Sequence, residues 1–398
     1  MASNIAELEE RYLMHTYKRM PGVFVRGEGC YLWDETGKRY LDFLAGIAVC
    51  QLGHCHPAVV KALVDQASTL MHTSNYLVSP SQVKLAEKLC QISGMDKVFY
   101  SVDGTTANEA ALKIAKKHGL GKCPAGDYEI ISLNNSFHGR SLGSLSATAQ
   151  ARYQTSFQPL LPGFRHIPVN DISALRAAFS DKTAAITMEP IQGEGGVMPV
   201  TEEFAKEAKR LCEQHNAFFI CDEVQAGIGR TGKWFCFQHW GFLPDILCIA
   251  KALGGGVPVG ACLTHGAASE VFAYGDHGST FSGSPISTCT GLVVLDVIER
   301  ENLMENAVAM GKLLADSFKA LGSVVAEVRG VGLMVGVKLK EPIARDVVMK
   351  ALEDGLITNA TDDYTLRLIP PLNITKVHVA EAMAIYAKAL GVGEPAAV

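Results

Sequence analysis

Several features are scarce in this chain, and each scarcity excludes a class of protein. No apolar run is long enough to cross a bilayer as a helix, which argues against a helical membrane protein. Its 36 basic and 41 acidic residues leave a net charge of -5, and no lysine or arginine block stands out, so nucleic-acid binding and membrane-surface binding lack their electrostatic footprint. Eleven cysteines are scattered singly, with no Cys-x-x-Cys pair, as expected for buried thiols in a reducing compartment. The first ten residues have neither the basic flank and apolar core of an export signal nor the arginines of a transit peptide. Internal repeats and low-complexity linkers are absent too. The expectation is a soluble, cytoplasmic protein with a small-molecule partner.

What is present suits a large globular chain. Its 398 residues are 48% hydrophobic and 19% charged, enough for a sizeable core in one large and one small domain. Between residues 98 and 263 short apolar runs alternate with helical patterns: Val98-Phe-Tyr-Ser101, Glu129-Ile-Ile-Ser-Leu133, Ala184-Ala-Ile-Thr-Met188, Phe218-Phe-Ile-Cys221 and Ile246-Leu-Cys-Ile-Ala250. Such runs suit strands buried on both faces, and strand–helix alternation predicts an α/β fold with a mostly parallel sheet flanked by helices. Helical spacing joins Ala107, Ala110, Ala111, Ile114 and Ala115, and again Phe204, Ala205, Ala208, Leu211 and Cys212, with Thr201 as N-cap. Beyond residue 290 the pattern becomes a smaller α+β domain. There Ala307, Met310, Leu314, Phe318 and Leu321 share a helix face, residues 332–338 read as a strand, and Val379, Ala382, Met383, Tyr386 and Leu390 mark a last helix. The expected division is an N-terminal segment, 1–45, joining the small domain; a large domain, 46–289; and a small domain, 290–398. Strand-like runs at 31–34 and 39–42 flank a Glu35-Thr-Gly37 turn.

In an open α/β sheet, ligands bind beyond the carboxyl ends of the strands, so the residues after each run are the candidates. Gly104 and Thr105 open a helix whose free amides can hold a phosphate, although the same turn can be an ordinary one capped by Asp103. Phe137-His-Gly-Arg140 offers a ring for stacking and a guanidinium for a carboxylate; Phe137 by itself also reads as core. Glu189-Pro-Ile-Gln-Gly-Glu194 places two carboxylates in a Gly-rich loop. Asp222-Glu-Val-Gln225 ends the fourth run, and Lys251 follows the fifth. A desolvated lysine can form a Schiff base, and an aspartate can hold a pyridine nitrogen protonated; together they meet the needs of pyridoxal phosphate. Each also has a bland reading, Lys251 as a solvated loop residue beside three glycines and Asp222 as a helix cap or surface ion pair.

Two other motifs read as decoys. Gly227-Ile-Gly-Arg-Thr-Gly232 matches a dinucleotide-binding pattern, but no clear amphipathic helix follows it. Cys50, His54, Cys55 and His56 cluster metal-capable groups without a second ligand pair at zinc spacing, so packing roles are expected and no metal.

The ordered set of strand ends resembles the class III, ornithine-type aminotransferases among the fold-type I pyridoxal-phosphate enzymes. The likeness spans nearly the whole chain: Arg26-Gly-Glu-Gly-Cys-Tyr-Leu-Trp-Asp34, Leu41-Asp-Phe-Leu-Ala-Gly-Ile-Ala48, Leu52-Gly-His-Cys-His-Pro57, Ala107-Asn-Glu-Ala110, Phe137-His-Gly-Arg140, Glu189-Pro-Ile-Gln-Gly-Glu194, Asp222-Glu-Val-Gln225, Gly229-Arg-Thr-Gly232, Lys251-Ala-Leu-Gly-Gly-Gly256, His277-Gly-Ser-Thr280 and Leu366-Arg-Leu-Ile-Pro-Pro371. Gly46-Ile-Ala-Val49, the 52–57 run and His72-Thr-Ser-Asn75 are similar to the branch that takes acylated ornithines.

The resemblance implies a pyridoxal 5'-phosphate enzyme with Lys251 as Schiff-base lysine and proton carrier, and Asp222 on the pyridinium nitrogen. Gln225 would meet the phenolic oxygen and Phe137 and Val224 the ring, with His138 also among the cofactor contacts. Gly104 and Thr105 would hold the phosphate with Thr280 from a second subunit, which makes a homodimer the minimum unit. Arg140 and Ser279 would bind a substrate carboxylate, Arg367 the α-carboxylate of glutamate, and Tyr17 the distal end. Glu194 would pair with Arg367 until glutamate displaces it. The implied reaction passes the δ-amine of N2-acetyl-L-ornithine to 2-oxoglutarate; ornithine, succinylornithine and N-succinyl-diaminopimelate are the rival donors. A decarboxylase or mutase on the same fold is the more distant rival, since fold does not determine reaction. The chain departs from the family where Asp-Gly-Thr-Thr, residues 103–106, replaces the usual Ser-Gly-Thr-Glu, and where Ser282 and Ser284 replace Gly and Asn.

Overall fold

The structure, a computed structural model, describes residues 5–393. Residues 1–4, part of the N-terminal stretch searched above for targeting signals, lie outside the described residues. The centre is a seven-stranded sheet built from β1 (Lys97–Ser101), β2 (Glu129–Leu133), β3 (Phe164–Ile167), β4 (Thr183–Met188), β5 (Phe218–Asp222), β6 (Ile246–Ile249) and β7 (Gly260–Thr264). Its spatial order is β1-β7-β6-β5-β4-β2-β3. β7 runs antiparallel to both β1 and β6, and the other neighbours are parallel.

Five of these strands are the five apolar runs of the sequence. The two others carry weaker signals. The edge strand β3, Phe-Arg-His-Ile, exposes Arg165 and His166, so no apolar run marks it. β7 is buried throughout but opens on Gly260 and carries only one long aliphatic side chain, Leu263.

Helix α1 (Gly104–Lys122) lies on the sheet through small residues, with Ala107, Ala110, Ala111 and Ala115 wholly buried. Alanines there let helix and strands approach closely. Helix α2 (Glu202–Gln214) starts where Thr201 Oγ1 accepts the Phe204 amide at 3.3 Å, and it buries Phe204, Ala205, Ala208, Leu211 and Cys212. Helices α3 (Leu303–Ala320) and α4 (Ala344–Glu353) pack on an antiparallel sheet of Val325–Val331, Met334–Leu339, Thr365–Leu368 and Asn359–Ala360, and α5 (Lys376–Leu390) packs on both helices. The N-terminal strands Phe24–Glu28, Tyr31–Asp34 and Arg39–Asp42 join this end of the chain, because Leu356–Ile357 pairs with the last of them.

One buried cation ties these parts together. Arg230, from the Gly-rich motif set aside above, is 0% exposed and donates to the carbonyls of Leu333 (3.0 Å) and Pro370 and to Gln51 Oε1 (3.2 Å). Among the described residues no carboxylate pairs with it, and burial pushes its guanidinium down to about 9. Arg230→Ala strips three buried acceptors of their donor, so chemical denaturation is expected to show a loss of about 3 kcal/mol. All eleven cysteines are free thiols. Among the described residues no group of side chains could hold a metal ion, and no helix is long and apolar enough to cross a membrane.

Candidate active site

The carboxyl ends of β1, β2, β4, β5 and β6 converge on one cavity of about 330 Å³. Gly104, Thr105, Phe137, His138, Glu194, Asp222, Val224, Gln225 and Lys251 line it, so the sequence reading brought nine side chains or backbones to one place.

Asp222, the last residue of β5, sits at the cavity and is 3% exposed. Its Oδ2 accepts from Asn108 Nδ2 (2.8 Å) and faces His138 Nδ1 (2.7 Å), while Oδ1 accepts from the Val224 amide (3.1 Å). Three partners thus hold the carboxylate in one orientation. Burial alone would lower the His138 pKa, but the hydrogen bond and charge of Asp222, with the charge of Glu189, outweigh it and raise the value. Glu189 supports the next wall: its oxygens accept the amides of Phe137 (2.8 Å) and Gly193 (3.1 Å). Burial pushes its carboxyl up to about 7, with the Asp222 charge adding to the rise and His138 opposing it.

At the helix end of the cavity, Asp103 accepts the amide and hydroxyl of Thr106, each at 2.7 Å, in a capping box. The unusual acid in the phosphate loop is therefore a helix cap. It leaves the amides of Gly104 and Thr105 for an anion at the N-terminus of a 19-residue helix. Glycine is required at 104, since a Cβ there would come within 2.5 Å of Val224 Cγ1. The anion end, the Phe137 and Val224 walls, the Asp222 carboxylate and the Lys251 amine together fit pyridoxal phosphate: phosphate, ring, ring nitrogen and aldehyde each meet a suitable group.

Lys251 begins a short 3-10 turn after β6 with φ of 46°, a left-handed conformation that is strained for a residue with a Cβ. Burial, then the charge of Arg367, pushes its amine down to about 8 against the opposing pull of Glu194, Glu189 and Asp222. The free base therefore dominates above about pH 8. The rate at which the apoenzyme captures pyridoxal phosphate is expected to climb about tenfold per unit from pH 6 to 7 and to level off above about 8. Stopped-flow absorbance measures this; a rate still rising tenfold per unit at pH 10 would mean an ordinary lysine.

The small antiparallel sheet delivers Arg367, 1% exposed, to the same place. It donates to Glu194 Oε1 (2.5 Å), Gln225 Oε1 (3.4 Å) and Asn359 Oδ1 (3.2 Å). Burial raises the Glu194 carboxyl, but Arg367, with help from Lys251 and Arg152, holds it below its ordinary value. Gly193 lets the loop come this close, since a Cβ would stand 2.2 Å from Gln225 Oε1.

The remaining candidates lie outside the cavity of this single chain. Arg140 is exposed and stacks on Tyr153, 4.0 Å from the ring centroid. Ser279 is half-buried and Thr280 exposed, on a segment stitched by Asn75 Nδ2 to the carbonyls of Ser279 (3.0 Å) and Ser282 (3.1 Å). Tyr17 is 74% exposed and reaches no cavity wall.

Sequence reasoning missed Asn108, Tyr153 and Val49. Val49 follows four consecutive residues with positive φ, Ala45 to Ala48, a left-handed turn that costs roughly 1–2 kcal/mol per L-residue. Asp42 holds that turn by accepting the amides of Leu44 (2.9 Å) and Ala45 (2.8 Å), and His54 fixes Asp42 at 2.7 Å. His56 of the same cluster accepts the Ala58 amide at 3.3 Å.

Known proteins share this arrangement. The family model for Aminotransferase class-III matches residues 12–390. An acetylornithine aminotransferase of Methanocaldococcus jannaschii is 46% identical, covering 94% of this chain and 95% of its own. The ornithine aminotransferase of Toxoplasma gondii superposes with a TM-score of 0.93 at 33% identity, covering 97% of this chain and 94% of its own. The acetylornithine aminotransferase of Elizabethkingia anophelis does so with a TM-score of 0.85 at 36% identity, covering 97% and 98%. A family match over nearly the full length, on a cavity that joins a lysine, an aspartate and a helix N-terminus, has one meaning: the chain belongs to the class-III aminotransferases.

Proposed function

We propose that this aminotransferase moves the δ-amino group of N2-acetyl-L-ornithine to 2-oxoglutarate, giving N-acetyl-L-glutamate 5-semialdehyde and L-glutamate, a step of arginine biosynthesis. The observation that carries the reading is the Arg367–Glu194 pair beside Lys251. One pocket must first accept a terminal amine and later an α-amino acid. While Glu194 neutralises Arg367, no cation invites an α-carboxylate; when Glu194 releases it, Arg367 clamps the α-carboxylate of glutamate. The choice of an acetylated donor is supported by the curated relatives, whose names are acetylornithine aminotransferase at 40–46% identity.

When bound, pyridoxal phosphate supplies an electron sink that takes the electron pair of the carbon losing its proton. Asp222 would keep the ring nitrogen protonated, and Asn108, His138 and the Val224 amide keep Asp222 aimed. Among the residues lining the cavity, Gln225 would meet the phenolic oxygen, Phe137 and Val224 would pack on the ring, and Gly104 and Thr105 would hold the phosphate. Lys251 would tether the cofactor and accept and return the proton of the substrate carbon, for which an amine near 8 is well poised. Arg140 takes the donor's α-carboxylate with Ser279 beside it, and Tyr17 closes on the distal end.

Thr280 completes the phosphate site of a second subunit in a cytoplasmic homodimer. Support for this comes from the exposed Tyr76, Tyr274 and Phe281 around the Asn75-stitched segment, an apolar surface suited to a second copy. Steady-state turnover on acetylornithine, ornithine, succinylornithine and N-succinyl-diaminopimelate, each with 2-oxoglutarate, tests the assignment. Highest specificity for acetylornithine is expected, and a preference for free ornithine would overturn it.

A further inference from the structure

From Val271 to Ser284 the chain forms neither helix nor strand, and this stretch carries Ser279 and Thr280. Thr280 is exposed, and its hydroxyl makes no hydrogen bond among the described residues. An irregular segment left to itself would present that hydroxyl in many positions. Two sets of contacts prevent this. Near its start, Lys113 Nζ of α1 donates to the Asp276 carbonyl (2.7 Å) and faces His277 Nδ1 (3.1 Å), while Lys117 pairs with the Asp276 carboxylate at 2.5 Å. The rings of Phe99 (4.7 Å) and Phe272 (5.6 Å) pack on His277.

The second anchor grips the turn itself. Asn75 Nδ2 donates to the carbonyls of Ser279 (3.0 Å) and Ser282 (3.1 Å), which flank Thr280 and Phe281 on either side. An amide nitrogen has two hydrogens, so one side chain satisfies both acceptors. Gln82 fixes which end of that side chain faces the turn, because its Nε2 donates to Asn75 Oδ1 at 2.8 Å. Gln82 belongs to the helix Pro80–Ser93, and its carbonyl accepts the Tyr100 hydroxyl at 2.7 Å. Gly283 lets the turn lie this close, since a Cβ there would stand 2.7 Å from Gln82 Nε2. Asn75 is exposed, and hydrogen bonds at the surface add little to stability, so the consequence of this clamp is geometric.

We infer that Asn75 is a positioning residue for the cofactor: by bridging the carbonyls on either side of Thr280 it holds that hydroxyl ready for the phosphate bound by the partner subunit. The inference rests on the proposed homodimer, in which Thr280 completes the partner's phosphate site. A hydroxyl fixed beforehand makes a charge-assisted hydrogen bond without a further ordering cost. The clamp of each chain thus serves the site of the other.

The test measures how tightly pyridoxal phosphate is held, from the absorbance of the lysine-linked cofactor, in N75D, Q82L and T280A. N75D keeps the side chain's size and the acceptor for Gln82 but can no longer donate. Binding about tenfold weaker is expected in N75D and T280A, with a smaller loss in Q82L and little change in unfolding temperature. Mixed dimers tell which site is damaged, because only a site with Lys251 reports. Paired with a Lys251→Ala chain, an N75D chain receives Thr280 from an intact clamp and should bind as the wild type does. With N75D and Lys251→Ala in one chain, the reporting site belongs to the other chain and should lose about tenfold. Unchanged affinity in N75D, or equal losses in the two arrangements, overturns the inference. T280A in the same two arrangements should follow N75D; a loss in the first arrangement alone, or in neither, would instead overturn the reading that Thr280 crosses to a second subunit.

Discussion

Lys251→Ala is expected to lower kcat by about 10⁴-fold or more and to abolish the absorbance band of the cofactor-linked lysine, while leaving the fold intact. Two losses combine in it. On the proposed mechanism the variant lacks both the covalent tether and the base that takes and returns the substrate's proton. No nearby group can replace either role: Glu194 is committed to Arg367, His138 to Asp222, and Glu189 to two backbone amides. Because the amine faces the cavity and has no hydrogen-bonded carboxylate, removing it strands no buried partner, and stability should change little. Removal even eases the fold at neutral pH. The amine's folded value near 8 lies below the ordinary lysine value, so its protonated form disfavours the folded state below about pH 8 and that penalty fades as pH rises from about 8 to 10. Single-turnover absorbance and thermal unfolding of the variant measure both halves; retained turnover would displace Lys251 from the mechanism.

Arg367→Gln and Glu194→Gln are expected to damage opposite halves of the reaction. With Arg367 gone, the α-carboxylate of glutamate loses a buried guanidinium, and kcat/KM for glutamate and 2-oxoglutarate should fall about 100-fold or more. The amine-donor half-reaction should suffer much less. With Glu194 neutral, Arg367 stays uncovered, so α-carboxylates compete with the terminal amine, and the donor half-reaction should fall instead. Arg367 holds the Glu194 carboxyl below its ordinary value against the effect of burial, so the pair persists through neutral pH and is lost only as pH falls through that lowered value. Single-turnover rates for each half-reaction separate the outcomes, and equal losses in both variants would contradict the switch.

How much of this was legible beforehand varies with the range of the interaction. Asp222 and Lys251 could be found because each ends or follows a strand marked by its own apolar run, and ligands collect at such ends. The helix Gly104–Lys122 was legible in its buried alanines. Edge strand Phe164–Ile167 was not, because a strand covered on one side keeps charged residues. Val49 and Tyr153 were not either: a left-handed turn held by Asp42 and His54, and a ring that gathers Arg140 and Arg152, depend on partners that no local pattern announces. Asp103 stood between two local readings until the Thr106 hydrogen bonds decided for the cap.

The sequence by itself determined the strand–helix alternation of the large sheet and the candidate lysine and aspartate at its strand ends, because periodicity and turn chemistry act over a few residues, while its ordered motifs carried the resemblance to the family and the cofactor that the family uses. The tertiary structure brings Arg367 to Glu194 across 173 positions, as the resemblance implied, and it alone decided that Arg230 locks three distant segments and that the guanidiniums of Arg140 and Arg152 share Tyr153. Such pairings are electrostatic and geometric matches between remote parts of the chain. They exist once the sheet, the N-terminal strands and the C-terminal part of the chain have packed.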